Sequence, residues 1–233
     1  MHHAQEHKFE DAAALTLTLA GSIAQSLRTA IAATGRASLV VSGGRTPVEL
    51  FKRLAREELD WQQVTVVLAD ERWVDAIATT SNERLVREEL LHDRAAVACF
   101  VALKNSAPSA ATGAASAWQA IAAVTRPFDC VLLGMGDDGH TASLFPASPD
   151  IDRALDVAQP PACIAMQAPD PPHERLSLNL TALLDARRIV VLLQGAQKWR
   201  VYQTTQAAGA VRDMPIRAVL RQSNVPLEVY WSP

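Results

Sequence analysis

The residues with the clearest chemical potential lie in the segment Gly134–Pro146, GMGDDGHTASLFP, which directly follows an apolar run. Its first seven positions hold three glycines, two carboxylates and one imidazole. Glycines behind a strand let backbone amides approach a ligand, because no Cβ stands in the way. A histidine side chain, with an unperturbed pKa of about 6.5, accepts protons near neutral pH. The segment therefore predicts a catalytic loop in which His140 is the general base and Asp138 assists it.

Other chemistries for this loop need groups that the sequence does not supply. Ser143 lies close to His140, but no G-x-S-x-G elbow surrounds any serine, so we expect water to be the nucleophile. A metal site would need a third ligand besides Asp138 and His140, and since none stands out we expect no metal. A purely structural role for His140 stays open.

A second glycine loop follows the apolar run Ser38–Val41 and precedes Pro47, a residue suited to the first turn of a helix. Near the positive end of that helix, two amides and two hydroxyls would hold phosphate oxygens. These candidate groups belong to Ser42, Gly43, Gly44 and Thr46. The loop lacks the P-loop lysine and the third glycine of a dinucleotide fingerprint, so nucleotide binding is not predicted. An ordinary strand-to-helix turn would also explain these residues.

Two later cations favour phosphate binding when they are considered together with that loop. Arg175 lies in ERLSL, and Lys198 lies in QGAQK behind the apolar run IVVLL. An arginine grips a phosphate with two parallel hydrogen bonds, and a lysine adds a point charge. Either residue alone would be explained as a surface charge. Arg45, inside the glycine loop, either adds a further cation or points into solvent, and we leave it out of the predicted site.

A third polar group, Asp70 to Trp73 (DERW), follows the apolar run VTVVL. Asp70 is a candidate base, and Arg72 is a candidate clamp for an anionic or carbonyl oxygen. An internal ion pair between these charges is an equally good explanation.

Apolar runs alternate with helical stretches along the chain, which predicts an α/β fold with a mostly parallel sheet and helices on both faces. We expect strands at 38–41, 64–68, 128–133, 163–166, 189–193 and 227–230. Helices are expected at 11–33, 48–59, 82–91, 110–124 and 196–206, with surface loops at 104–112 and 167–173. No linker interrupts this pattern, so residues 1–233 are expected to form a single domain.

Bulk composition limits the classes of partner. The hydrophobic fraction of 49% is ample for a core, and a net charge of −3 gives no general attraction to nucleic acid or anionic membranes. No apolar run is long enough to span a bilayer, and the first residues lack signal-peptide organisation, so we expect a soluble, cytoplasmic protein.

Cysteine and histidine spacing gives no sign of a metal centre. The three cysteines, Cys99, Cys130 and Cys163, are far apart and lack CxxC spacing, so we expect buried thiols in a reducing compartment. A group of histidines near the start is expected to belong to a frayed terminus rather than to a metal site. It consists of His2, His3 and His7.

Four segments together resemble the 6-phosphogluconolactonases of the pentose phosphate pathway. They are SGGRTP at 42–47, DERWV at 70–74, SN at 81–82 and GMGDDGHTASLFP at 134–146. The similarity extends through ERLSLN and QGAQKW, and thus over nearly the whole chain beyond the first helix. The resemblance implies a Rossmann-like fold shared with glucosamine-6-phosphate deaminases. It also implies hydrolysis of 6-phospho-D-glucono-1,5-lactone without cofactor or metal.

The deaminases are the nearest alternative, because they share the glycine loop, an acid at the Asp70 position and the Asp-Gly-His triplet. Their motif resembles GxDGHIAFNEP, which has a glutamate five residues after the loop histidine, where this sequence has Phe145. Smaller departures from the lactonase pattern are Ser177, where threonine is frequent, and Arg45, where a small residue is frequent. A non-catalytic sugar-phosphate sensor is a further alternative, although it would not need the DDGH segment.

On this interpretation the substrate phosphate docks on the glycine loop, Arg175 and Lys198, and His140 activates water beside the lactone carbonyl. Asp138 tunes the imidazole, and Arg72 stabilises the oxyanion. Asp70 is either a base, the role implied for the deaminases, or only a scaffold or an acceptor for sugar hydroxyls. The expected partner is a small sugar phosphate, with no nucleic acid and no membrane, and the chain is expected to be a monomer or a small homo-oligomer.

Overall fold

The computed structural model describes residues 4–233. Its strands are β1 (Gln5–Lys8), β2 (Ala37–Val41), β3 (Val64–Leu68), β4 (Asp70–Arg72), β5 (Cys99–Val101), β6 (Cys130–Leu133), β7 (Cys163–Gln167), β8 (Glu174–Leu178), β9 (Ile189–Gln194) and β10 (Leu227–Ser232). Its helices are α1 (Ala12–Thr34), α2 (Val48–Leu54), α3 (Asn82–Glu89), α4 (Ala110–Ala122), α5 (Ile151–Leu155), α6 (Leu180–Leu184), α7 (Ala196–Gln206) and α8 (Ile216–Leu220).

The main sheet has the strand order β1-β10-β9-β6-β2-β3-β5, and every pair of neighbours is parallel. This arrangement confirms the predicted parallel α/β architecture. All residues of β2 and β6 are buried; β6 is wholly apolar, and Ser38 is the one polar residue of β2. The central strands therefore have no solvent-facing side.

Three neighbouring strands bring three sequence motifs to one edge of this sheet. Strands β9, β6 and β2 lie side by side. Because they are parallel, the segments that follow them emerge at the same edge. These segments are GAQK after β9, GMGDDGH after β6 and SGGRT after β2. Topology thus brings together groups that are far apart in the sequence.

A second sheet, which the sequence analysis did not predict, is antiparallel and has the order β4-β8-β7. Strand β4 has only three residues, all of them charged, and such a segment lacks the alternation that reveals a half-buried strand. This sheet carries Asp70 and Arg72 on β4 and Arg175 on β8.

Helix α1 closely matches the predicted helix at 11–33. Asp11 caps its start, accepting a hydrogen bond from the Ala14 amide at 2.8 Å, and Gly35 ends it with φ +76°. Leu19, Ile23 and Leu27 recur every four residues and are fully buried, so they form the apolar stripe that packs on the sheet.

The expectation of a frayed terminus is wrong for His7. That residue lies in β1, which pairs with β10, and its ring stacks on Tyr230 with centroids 4.4 Å apart. The segment QEHK carries no apolar pattern, so its place in the sheet is set by tertiary contacts. His2 and His3 lie outside the described residues.

The prediction of a buried thiol is wrong for Cys99, which is exposed, whereas Cys130 and Cys163 are buried as expected. It begins β5, an edge strand of the main sheet, which leaves its side chain accessible to solvent.

The predicted loop at 104–112 is shorter, because α4 already begins at Ala110 behind a Ser109 cap. Helix α2 ends at Leu54, five residues before the predicted end at 59, and the other boundaries differ by at most two residues. Among residues 4–233, no helix has the length and apolar character needed to cross a membrane.

Candidate active site

A cavity of about 240 Å³ opens at the edge where β2, β6 and β9 end, next to the second sheet. Every site residue predicted from the sequence except Asp138 lines it. Those residues are Ser42, Gly43, Gly44, Thr46, Asp70, Arg72, His140, Arg175 and Lys198. Further lining residues, which the sequence analysis did not assign to the site, include Asn82, Met135, Ser143, Phe145 and Gln194.

The imidazole of His140 is held from behind by Asp138. Its Nδ1 lies 2.6 Å from Asp138 Oδ1, and the same oxygen accepts the His140 backbone amide at 3.0 Å. Since an ionised carboxylate only accepts hydrogen bonds, the neutral ring carries its proton on Nδ1. The lone pair on Nε2 is then available for a proton from the cavity side.

The pKa of Asp138 is low enough to keep that arrangement. Partial burial raises the pKa of this carboxyl, but hydrogen bonds from the His140 side chain and amide outweigh burial, and the net shift is downward. Asp138 therefore stays ionised and fixes both the orientation and the tautomer of the ring.

Glycines close the loop tightly around this pair. A Cβ at Gly136 would lie 2.1 Å from His140 Nδ1, so no other residue fits at that position. The Gly136 amide donates to the His140 carbonyl at 2.8 Å, and Gly139 turns the chain with φ +78°. Ala142 also has positive φ, +48°, which is uncommon for a residue with a side chain. Thr141 and Ser143 on either side are buried and hold this strained position.

Two buried donors in the cavity lining are free to bind an anion. Ser42 Oγ and Arg175 Nη1 are buried and have no hydrogen-bond partner among residues 4–233. Arg175 pairs directly with Arg72 in the β4–β8 register, so two guanidinium side chains lie on one face of the sheet. Burial and the charge of Arg72 together lower the pKa of Arg175. A bound anion would relieve this repulsion and satisfy the unpaired donors.

Asn82 links the glycine loop to Asp70. Its Nδ2 donates to the Asp70 carbonyl at 2.9 Å and contacts Asp70 Oδ1 at 3.4 Å. Its Oδ1 would lie only 2.0 Å from a Cβ at Gly43, so the backbone of the loop can approach Asn82 only because Gly43 has no side chain.

Ser143 holds the other oxygen of Asp70. The buried Ser143 hydroxyl donates to Asp70 Oδ2 at 2.5 Å, and the Ser143 amide donates to Ser177 Oγ at 3.3 Å. Asp70 thus receives hydrogen bonds from the start of α3 and from the loop behind β6. Its carboxylate is fixed beside the cavity as an acceptor, an arrangement suited to binding sugar hydroxyls.

Glu71 anchors the segment that carries Arg72 and Asn82. Its buried carboxylate accepts the backbone amides of Arg72, Asn82 and Glu83, each at 2.7 Å, and the Ser81 hydroxyl at 3.0 Å. Burial raises the pKa of Glu71, and these four hydrogen bonds oppose the rise. The guanidinium of Arg72 in turn donates to the Thr80 carbonyl. The sequence analysis left an ion pair between Asp70 and Arg72 as an alternative to a functional role. The two side chains do not pair with each other, so that alternative does not hold.

Lys198, in the first turn of α7, pairs with Asp137 Oδ1 at 2.8 Å. Arg45 lies elsewhere: it lines a second cavity between α1 and α2, and it is not part of the lining of the first.

Phe145 packs against the imidazole of His140, with ring centroids 4.5 Å apart and an interplanar angle of 44°. No group of three or more His, Cys, Asp or Glu side chains that could hold a metal occurs within the described part of the chain.

The chain is similar over nearly its full length to proteins of known family. A family model described as glucosamine-6-phosphate isomerases/6-phosphogluconolactonase matches residues 10–231. A 6-phosphogluconolactonase of Pseudomonas putida is 45% identical over 227 residues, which cover 97% of this chain and 92% of the relative.

Solved structures give the same result. The crystal structure of a 6-phosphogluconolactonase from Shewanella baltica OS155 superimposes with a TM-score of 0.96 at 45% identity, covering 100% of this chain and 99% of the other. A monomeric glucosamine-6-phosphate deaminase shares the fold, with a TM-score of 0.78 at 17% identity and coverage of 98% and 97%. The chain therefore belongs to the glucosamine-6-phosphate isomerase/6-phosphogluconolactonase family.

Proposed function

We propose that this enzyme hydrolyses 6-phospho-D-glucono-1,5-lactone to 6-phosphogluconate, the second step of the oxidative pentose phosphate pathway. The relatives named as 6-phosphogluconolactonases support this activity. The observation that carries the proposal is a single cavity whose lining includes both unpaired cationic and hydroxyl donors and an oriented imidazole. That combination suits a phosphorylated ester in which one group is bound and another is attacked.

The phosphate docks on the amides of Gly43 and Gly44 and on the hydroxyls of Ser42 and Thr46. Arg175 and Lys198 neutralise its charge. Helix α2 spans only seven residues, so the loop amides and the two cations, rather than the helix dipole, supply most of the attraction. The sugar ring then lies beside Asp70, whose fixed carboxylate accepts hydrogen bonds from ring hydroxyls.

Beside the lactone carbonyl, His140 Nε2 takes a proton from a water molecule as the water oxygen attacks C1 of the lactone. The carbonyl oxygen gains negative charge, which the Arg72 guanidinium stabilises. When the tetrahedral intermediate collapses, the C1–O5 bond breaks and the imidazolium returns its proton to the ring oxygen. The products are a free hydroxyl and the C1 carboxylic acid, which ionises at neutral pH. Neither a metal nor a cofactor is needed for this sequence.

Two alternatives fit the site less well. In a deaminase, a carboxylate five residues after the histidine assists ring opening, whereas Phe145 here is apolar and packs on His140. A non-catalytic sugar-phosphate sensor would gain nothing from a histidine whose tautomer is fixed by Asp138.

A paired assay tests the proposal. Lactone opening is measured with 6-phosphogluconate dehydrogenase as the coupling enzyme, and the spontaneous hydrolysis rate is subtracted. Release of ammonia from glucosamine-6-phosphate is measured with the same preparation. We expect enzyme-dependent lactone opening and no ammonia. Ammonia release without lactone opening would assign the chain to the deaminases, and binding of 6-phosphogluconate without either reaction would make it a sensor.

The cellular setting follows the same interpretation. All three cysteines are free thiols, which is typical of a reducing compartment and supports a cytoplasmic location. That the protein is a monomer or a small homo-oligomer stays our expectation. The only partner that the mechanism requires is the sugar phosphate.

A further inference from the structure

The pairing of Lys198 with Asp137 bears on how the phosphate is bound and released. Lys198 lines the cavity, and its ammonium lies 2.8 Å from Asp137 Oδ1. Asp137 itself is not among the lining residues and its side chain is 66% exposed, against 26% for Lys198. The lysine is thus shared between the cavity and a carboxylate outside it.

The loop geometry makes this pair separable from the catalytic one. Asp137 lies in the turn that the Gly136–His140 and Gly139–Gly136 backbone hydrogen bonds close. Its neighbour Asp138 points to His140, while Asp137 points to α7. Lys198 can exchange one anionic partner for another while the tight turn around His140 keeps its shape.

Electrostatics decide which partner is preferred. An exposed ion pair contributes at most about fivefold to an equilibrium constant, because water screens it. A phosphate in the cavity carries up to two negative charges and also contacts Arg175, so it outcompetes a single carboxylate. The carboxylate remains nearby and recovers the lysine once the product begins to leave.

We propose that Asp137 is an affinity-setting residue that competes with the substrate phosphate for Lys198 and so weakens binding of phosphorylated ligands. This inference rests on the proposed function, since it takes the cavity to be the phosphate site. It assigns to Asp137 a role in product release rather than in catalysis: the carboxylate takes over Lys198 as the phosphate departs.

The test measures dissociation constants of 6-phosphogluconate and of inorganic phosphate by calorimetry at low ionic strength. Asp137→Asn should bind both ligands about two- to fivefold more tightly than the wild type, because Lys198 loses its internal partner. A merely structural role for Asp137 would weaken binding on mutation, so the direction of the change is diagnostic. Asp152→Asn is the matched control: it removes one carboxylate from an exposed pair with Arg212 and should change neither constant.

A double-mutant cycle separates competition from a general change in charge. In a Lys198→Met background, Asp137→Asn should no longer tighten binding. The inference is overturned if Asp137→Asn binds as the wild type or more weakly, or if the double variant still binds more tightly than Lys198→Met alone. If the wild type neither opens the lactone nor binds 6-phosphogluconate, the proposed function fails instead, so the two failures are distinguishable.

Discussion

At the scale of single residues, the chemistry depends on one hydrogen bond. Asp138 lies 2.6 Å from His140 Nδ1, and this contact determines which ring nitrogen can accept a proton. The spacing of the two residues in the DDGH segment predicted their contact. That Asp138 stands behind the ring, outside the cavity lining, could not be predicted, because it depends on the turn that Gly136 and Gly139 form.

Replacing His140 with Asn should lower kcat by a factor of about 10² to 10⁴, because general base catalysis is lost. Affinity for 6-phosphogluconate should stay near normal, since the phosphate contacts are elsewhere. The measurement is the coupled lactone assay, corrected for spontaneous hydrolysis, together with calorimetry.

His92→Asn is a matched control for that variant. The side chain of His92 is 31% exposed, as is that of His140, and its Nδ1 lies 3.2 Å from an aspartate, Asp93. It is remote from the cavity lining and should leave kcat unchanged. Full turnover in the His140 variant would remove that residue from the role of base.

Arg175→Ala tests whether this residue binds the phosphate group of the ligand. Loss of a charge-assisted hydrogen bond should weaken binding of 6-phosphogluconate by about 1.5 to 3 kcal/mol. The Tm of the unliganded protein should change little, because the variant removes the repulsion by Arg72 together with the attraction to Asp70 and Glu71. Unchanged product affinity by calorimetry would reject the assignment, and a lower Tm would show that Arg175 supports the fold instead.

At the scale of elements, the order of the strands in the main sheet brings the site residues together. The apolar runs of β2, β6 and β9 were predictable from the sequence, and parallel neighbours place the segments behind them at one edge. The β4-β8-β7 sheet was not predictable in the same way, since the charged residues DER give no strand pattern. Asp70, Arg72 and Arg175 were identified as candidates, but the element that positions them was missed. Asn82 and Ser143 were missed as members of the site because their partner, Asp70, is distant in the sequence.

The start of α3 depends on Glu71, and Glu71→Gln should expose that dependence. An amide would place an N–H group against backbone donors that now meet a carboxylate oxygen. The expected loss is about 1 to 3 kcal/mol in the free energy of unfolding, measured by urea denaturation. Glu88→Gln, on the exposed face of the same helix, should cost less than about 0.5 kcal/mol. Equal stabilities of the two variants would contradict the anchoring role of Glu71.

At the scale of the whole molecule, the core isolates two thiols from solvent. Burial raises the pKa of Cys130 and of Cys163 to about 12, so both are neutral and unreactive at ordinary pH. Cys99 is exposed on the edge of the sheet. The sequence predicted three buried cysteines, and it could not show that β5 is an edge strand. That residues 1–233 form a single domain stays a prediction.

A thiol-labelling experiment tests that distribution. In native protein at about pH 8, one thiol per chain should react quickly, and Cys99→Ser should abolish this fast phase. The other two should react only when denaturant unfolds the chain, because they then reach solvent. Rapid labelling of Cys130 or Cys163 in the native protein would contradict the described core.

A crystal structure with bound 6-phosphogluconate would test the central claim most directly. We expect the phosphate among Ser42, Thr46, Arg175 and Lys198, and one oxygen of the C1 carboxylate within hydrogen-bond distance of His140 Nε2. A product bound in the reverse orientation, or with its carboxylate far from the imidazole, would contradict the mechanism.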